Sequence, residues 1–156
     1  MTVCLKKAML LGLFFGGALG IAQASEFEHR VNLIASYKQE CSACHTAYLP
    51  SMLPAGSWRR IMSGLDRHFG VDASLDPKTV TELTQWLSTH AGTSSRVVQP
   101  PAEDRITRSA WFERKHREVS SAVWQRASVR SRAQCAACHL RADQGDYDED
   151  HVRIPR

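Results

Sequence analysis

Beyond its first two dozen residues the sequence has no apolar run long enough to cross a bilayer, and beyond Met62 it has no methionine. It has no cysteine outside Cys4 and two pentapeptides. No segment sustains the apolar–polar alternation of a half-buried strand, which argues against a sheet protein. The missing apolar runs exclude an internal membrane-spanning helix. The scarcity of cysteine leaves none for a structural disulfide once the pentapeptides are otherwise engaged. The missing methionines withdraw thioether ligands from the whole second half. No nucleic-acid-binding motif accompanies the basic residues, so nucleic acid is not an expected partner.

The two pentapeptides are Cys41-Ser42-Ala43-Cys44-His45 and Cys135-Ala136-Ala137-Cys138-His139. Cys-x-x-Cys-His is the attachment signal of a c-type haem. The two sulfurs are spaced to reach the vinyl groups on one edge of a porphyrin. The adjacent histidine is then carried under the ring, where its imidazole binds the iron. Two copies point to two covalent haems, at Cys41, Cys44, Cys135 and Cys138. Two alternatives explain less. A four-cysteine zinc site leaves His45 and His139 without a role, and dithiol exchange needs a βαβ context that the chain lacks.

Lys6 and Lys7 precede an apolar stretch over residues 8–22, followed by Ala22-Gln23-Ala24. This is the pattern of a cleaved export signal, with a mature start at Ser25. Cys4 leaves with it, and being ahead of the apolar stretch it does not match a lipidated cysteine. The remaining 132 residues are one ordinary domain or two small ones. They carry 18 Lys and Arg against 16 Asp and Glu, a formal +2 that four haem propionates would cancel. Domains this small bury little apolar surface alone, so two haem rings are expected to complete the core and the apoprotein to be poorly folded. A Gly-, Ser- and Pro-rich stretch divides the chain. The expected units are a signal over 1–24, a first haem domain over 25–92, a linker over 93–105 and a second haem domain over 106–156.

Helical periodicity dominates both halves. Residues 30–40 carry Val31, Ile34, Ala35 and Lys38 at helical spacing and lead into the first motif. A second stripe runs through Trp58, Ile61, Met62, Leu65 and Phe69, with Ser57 as the expected cap. A third helix starts with Asp76 as cap and Pro77 in first position, carries Val80, Leu83, Trp86 and Leu87, and is expected to end at Gly92. Trp111, Phe112, Val119 and Val123 form a fourth stripe with Ser109 as cap, and a last helix is expected through Val129 and Ala133. The expected fold is all-α.

His45 and His139 are the proximal iron ligands by motif. Candidates for the opposite side are His29, His68, His90, His116, His151, Met52 and Met62. His68 lies on the second stripe, just before Phe69-Gly70, and leads for the first haem. His90 on the third helix and Met62 are its rivals, although a methionine on a helical stripe is usually packing. His116 leads for the second haem, four residues after Phe112, with His151 in the acidic tail as the alternative. His68 follows His45 by 23 residues and His116 precedes His139 by 23.

Residues 40–48 (ECSACHTAY), 53–76 (LPAGSWRRIMSGLDRHFGVDASLD), 111–124 (WFERKHREVSSAVW) and 135–155 (CAACHLRADQGDYDEDHVRIP) together resemble the proteobacterial dihaem cytochrome c family. The resemblance implies bis-histidine iron at His45 with His68 and at His139 with His116. It also implies a class I cytochrome c-like first domain, a small helical and irregular second domain, and haems close together. The implied role is that of a periplasmic electron carrier and not an enzyme. The implied partners are an oxygen-binding haem protein related to cytochrome c′ or a membrane b-type cytochrome. A dihaem peroxidase or a gas- or redox-sensing module needs an open distal position, which two histidine ligands would close. Residues 105–132 hold eight Lys and Arg, and the tail holds Asp143, Asp146, Asp148, Glu149 and Asp150. Such a separation of charge can orient a docking partner.

Overall fold

A computed structural model describes residues 32–156. The export signal, its cleavage site, Val31 and the candidate ligand His29 lie outside the described residues. Five α-helices follow in order: α1 Ala35–Cys41, α2 Ala55–Ser63, α3 Pro77–Thr89, α4 Ala110–Lys115 and α5 Ser121–Trp124. Short 3₁₀ turns and irregular chain join them. The described residues form no strands, only two isolated bridge pairs, His68 with Val71 and His139 with Val152. The expected all-α class is what is found.

Where the start signals are local, the helices begin as expected. Asp76 Oδ1 accepts from the backbone N–H of Lys78 and of Thr79, each at 3.0 Å, with Pro77 at the first position of α3. Both contacts satisfy amides that have no partner inside the helix. Ser109 caps α4 by accepting from Phe112 N–H at 3.3 Å.

Several expectations need correction. Ser57 does not cap α2. The helix starts earlier, after Pro54, whose carbonyl accepts from the N–H groups of Ser57 and Trp58. Ser57 is thereby an interior residue, fully buried. α2 also stops earlier than its stripe suggests, at Gly64, a weak helix former. Leu65–Arg67 is a 3₁₀ turn, and His68 leaves it in extended conformation. Phe69 (φ 50°) and Gly70 (φ 97°) then reverse the chain, and Val71 N–H donates back to the His68 carbonyl at 3.1 Å. His68 is therefore carried by a tight turn and not by the helix.

α3 ends at Thr89, three residues before the expected stop at Gly92, with His90 as its C-cap. α4 ends at Lys115 with His116 as its C-cap, so Val119 and Val123 are not on it. Ser120, in extended conformation, restarts the chain as the N-cap residue of α5. No helix runs through Val129 and Ala133. That stretch is a series of turns with Arg130 at φ 66°.

The core gathers Tyr37, Leu49, Met52, Leu53, Trp58, Met62, Leu83, Leu87 and Val97 with Ile106, Trp111 and Phe112. α2 packs on α3, and α1 on the same helix. Leu83 and Leu87 are almost wholly buried, and burial of each contributes about 1.5–3 kcal/mol. The segment expected to link the halves lies along the first. Gly92 N–H donates to the Leu53 carbonyl at 2.9 Å, Val97 enters the core, and Asp104 accepts two bonds from the Arg60 guanidinium, at 2.7 and 2.8 Å.

Candidate functional site

Each motif brings its histidine to face one other histidine. α1 ends at Cys41, and the following turn carries Cys44 and His45. The His45 and His68 rings face each other with centroids 6.1 Å apart and planes 27° apart. In the second half, His139 follows the 3₁₀ turn Cys135–Ala137. Its ring centroid also lies 6.1 Å from that of a partner, His116, with planes 70° apart. All four imidazoles are half-buried.

The local chain explains these orientations. The last turn of α4 leaves carbonyls without helical partners. The Phe112 carbonyl accepts both the backbone N–H of His116, at 3.0 Å, and its Nδ1–H, at 2.9 Å. Phe112 also stacks on the imidazole at 4.0 Å and 21°. His45 Nδ1 is tied to the Thr46 carbonyl at 2.8 Å, and its ring stacks on Tyr48 at 4.8 Å and 17°. A histidine whose Nδ1–H is held by a carbonyl presents a lone pair at Nε2, the ligand form of the side chain. The tail holds the other motif. Arg153 N–H donates to the Cys138 carbonyl at 2.8 Å, and Leu140 N–H to that of His151 at 3.3 Å.

Burial holds His68, His116 and His139 below the ordinary histidine value. The neighbour adds to this, His45 acting on His68 and His116 on His139. Arg132 also acts on His116. Its guanidinium lies over Phe112 and Trp124 at 5.1 and 5.3 Å and pairs with Glu113 at 2.9 Å. Neutral, paired imidazoles are what a metal ion requires.

No disulfide joins the four described cysteines. Burial pushes Cys41 and Cys135 up to about 11, and Cys138 up as well. Reactive dithiols show the opposite shift. Among the described residues no three of His, Cys, Asp and Glu converge as a metal site, so a four-cysteine zinc site is not assembled.

The residues fit a haem in each half. Two imidazoles that share one metal ion through bonds of about 2 Å hold their ring centres roughly 6 Å apart. The Cys pairs sit on the same segments as His45 and His139. Apolar side chains next to the paired histidines are also exposed: Phe69 at 43% and Val71 at 61% beside His68, Leu140 at 59% and Val152 at 38% beside His139. An apolar macrocycle held by the paired histidines would cover such side chains further.

What separates the rival candidates is their ring neighbour. His90 holds the Trp86 carbonyl through Nδ1 at 2.8 Å, as His116 holds that of Phe112, but its ring lies on Trp86 and not on a motif histidine. His151 lies 3.0 Å from Asp146 Oδ2. Met52 and Met62 are buried in the core. No motif in the sequence marks the tyrosines. All three in the chain, Tyr37, Tyr48 and Tyr147, stand around the two motifs. The only signal available was that Tyr48 follows His45 by three residues.

A profile of the dihaem cytochrome c family matches residues 37–147. The fold is similar to the crystal structure of a diheme c-type cytochrome from Shewanella baltica, at 42% identity and a TM-score of 0.68, covering 78% of this chain and 92% of that one. It is also similar to the diheme cytochrome c of Rhodobacter sphaeroides in two structures, both at 39% identity over 75% of this chain. These cover 98% and 99% of that chain, with TM-scores of 0.67 and 0.65. None of the curated proteins searched matches the chain.

Proposed function

The chain belongs to the dihaem cytochrome c family and carries two covalently bound haem c groups, and from that premise we propose that it is an exported, periplasmic electron-transfer protein. Cys41 with Cys44 and Cys135 with Cys138 are the attachment pairs. His45 and His68 hold one iron, His139 and His116 the other. Bound haem supplies a one-electron iron couple.

The facing of each motif histidine onto a second histidine at 6.1 Å carries this reading. A distal histidine on each side leaves no open position for peroxide or oxygen. It also favours a lower potential than a distal methionine would. The side chains do the rest. Carbonyls fix His45 and His116, and burial disfavours charge on His68, His116 and His139. The redox partner is expected to be a cytochrome c′-like haem protein or a membrane b-type cytochrome, approached through the basic surface around α4.

Spectroscopy of the purified holoprotein tests the ligand set. Two haems that are low-spin in the ferric state and do not bind carbon monoxide after reduction are expected. His68→Ala and His116→Ala should each make one ferric haem high-spin, make the same haem bind carbon monoxide once reduced, and leave the other unchanged. A high-spin fraction in the wild type overturns the assignment and favours a peroxidase or a gas sensor, and a methionine–iron band overturns the distal histidines while keeping a closed site.

A further inference from the structure

Tyr48 ties the two halves together at the point where both motifs meet. Its ring stacks on His45 at 4.8 Å. Its hydroxyl donates to the carbonyl of Ala133 at 2.7 Å, across 85 residues of chain. Ala133 stands two residues before Cys135. One side chain thus touches an iron ligand of the first site and the backbone that delivers an attachment cysteine of the second. Tyr48 is itself held, since the hydroxyl of Tyr37 donates to its carbonyl at 2.9 Å. Tyr37 precedes Cys41 by one helical turn of α1.

A second contact grips the same place from the tail. Gly145, at φ 72°, sits so close to the neighbouring residue Leu49 that a Cβ there would lie 2.9 Å from Leu49 Cδ2. Tyr147, two residues on, lies 5.2 Å from the His139 ring. The 48–49 segment is therefore contacted by the second half both before and after its motif.

We propose that Tyr48 is a positioning residue that sets the separation and tilt of the two haems by locking the His45 segment to the Cys135 segment. The inference rests on the assignment of one haem to each motif, and not on the direction of electron flow or the partner. A phenol suits the role. Its flat face packs on the imidazole, and its rigid reach places one hydroxyl on a fixed carbonyl at small entropic cost. An aliphatic side chain has no such handle, and a lysine or glutamine would bring more freedom to lose.

The test uses the holoprotein with Tyr48→Phe, which keeps the ring and deletes the bond to Ala133. Both haems should stay low-spin and fully loaded. The magnetic interaction between the two ferric irons should weaken or shift in paramagnetic resonance, and the gap between the two midpoint potentials should change. Trp58→Phe is the control. It deletes the indole bond to the Pro50 carbonyl, 2.7 Å, inside the first half, and should lower the melting temperature without moving either signature. Gly145→Ala presses on the same seam from the other side and should move both signatures, so it decides the matter should Tyr48→Phe fail to load haem. Variants that lower the melting temperature as Trp58→Phe does, with coupling and potential gap unchanged, overturn the proposal. So does a wild type with no interaction between the irons; in that outcome the low-spin, bis-histidine reading stands untouched.

Discussion

The Nζ of Lys115 lies 3.2 Å from Oε1 of Glu149, so the acidic tail folds back onto the basic end of α4. The separation of charge along the sequence is partly cancelled in space. Arg132 also pairs with Glu113, and Arg117 with Glu118. The proposed docking face is then a basic surface with a built-in acidic competitor. Exposed pairs of this kind are weak and screened by salt, so a partner's carboxylates can displace them. Glu149→Gln should speed electron transfer with an acidic redox partner at low salt. Combined charge reversal at Arg114, Lys115 and Arg117 should slow it. Both effects should fade as ionic strength rises. Stopped-flow rates that ignore both the substitutions and the salt rule the face out.

Acid should loosen the strap that runs from the first half to the second. The Arg60 guanidinium, by its hydrogen bonds and its charge, holds the Asp104 carboxyl below its ordinary value of 3.8. The folded state therefore binds that proton more weakly than the unfolded chain. The stabilisation is fully present above the ordinary carboxylate value and is lost as the pH falls through the lower, folded value. Asp104→Asn should lower the melting temperature at neutral pH. Its deficit relative to wild type should shrink in strongly acid solution, where the wild-type carboxylate is protonated too. A deficit that stays constant with pH would mean that the pair contributes nothing through charge.

Gly92 and Gly64 should respond oppositely to alanine. A Cβ on Gly92 would meet the Ser51 carbonyl oxygen at 2.3 Å and Val97 Cγ1 at 2.6 Å. Backbone must move to admit it, at a cost of roughly 1–3 kcal/mol. At Gly64 the nearest atom is the Arg60 carbonyl oxygen at 3.6 Å, and φ is −126°, open to any residue. Alanine there removes unfolded-state freedom and should be neutral or stabilising by up to about 1 kcal/mol. Thermal melts of the two holoprotein variants check the contrast, and equal losses would contradict it.

Local chemistry was readable in the chain and long-range chemistry was not. Asp76 with Pro77, and Ser109, announce helix starts because a cap needs only its next three residues. The Cys-x-x-Cys-His pentapeptides announce their cofactor for the same reason. His68 was recognisable as a candidate from its apolar register, yet the turn that carries it depends on the early stop at Gly64 and the positive φ of Phe69. A helical stripe drawn through those positions hides both. The fourth stripe likewise joined α4 to α5 across Ser120, where the chain restarts. Tyr48 and Ala133 carry no mark of each other, because a bond across 85 residues depends on the packing of everything between them.

The second half should depend on its haem far more than the first does. Beyond Phe112 only Val129 and Ala142 are fully buried, whereas the first half encloses Leu53, Leu83, Leu87, Trp58 and Met62 around α2 and α3. A segment with so little core needs a covalent or metal staple to stay folded. Two thioether bonds and two histidine–iron bonds would supply it. Replacing Cys135 and Cys138 together with serine keeps the first haem and removes attachment of the second. In hydrogen exchange this variant should keep the amides of α2 and α3 protected, while those of residues 117–156 approach unfolded rates. Retained protection across both halves would show that the turns of the second half are stable without their cofactor, and that its thin core is sufficient.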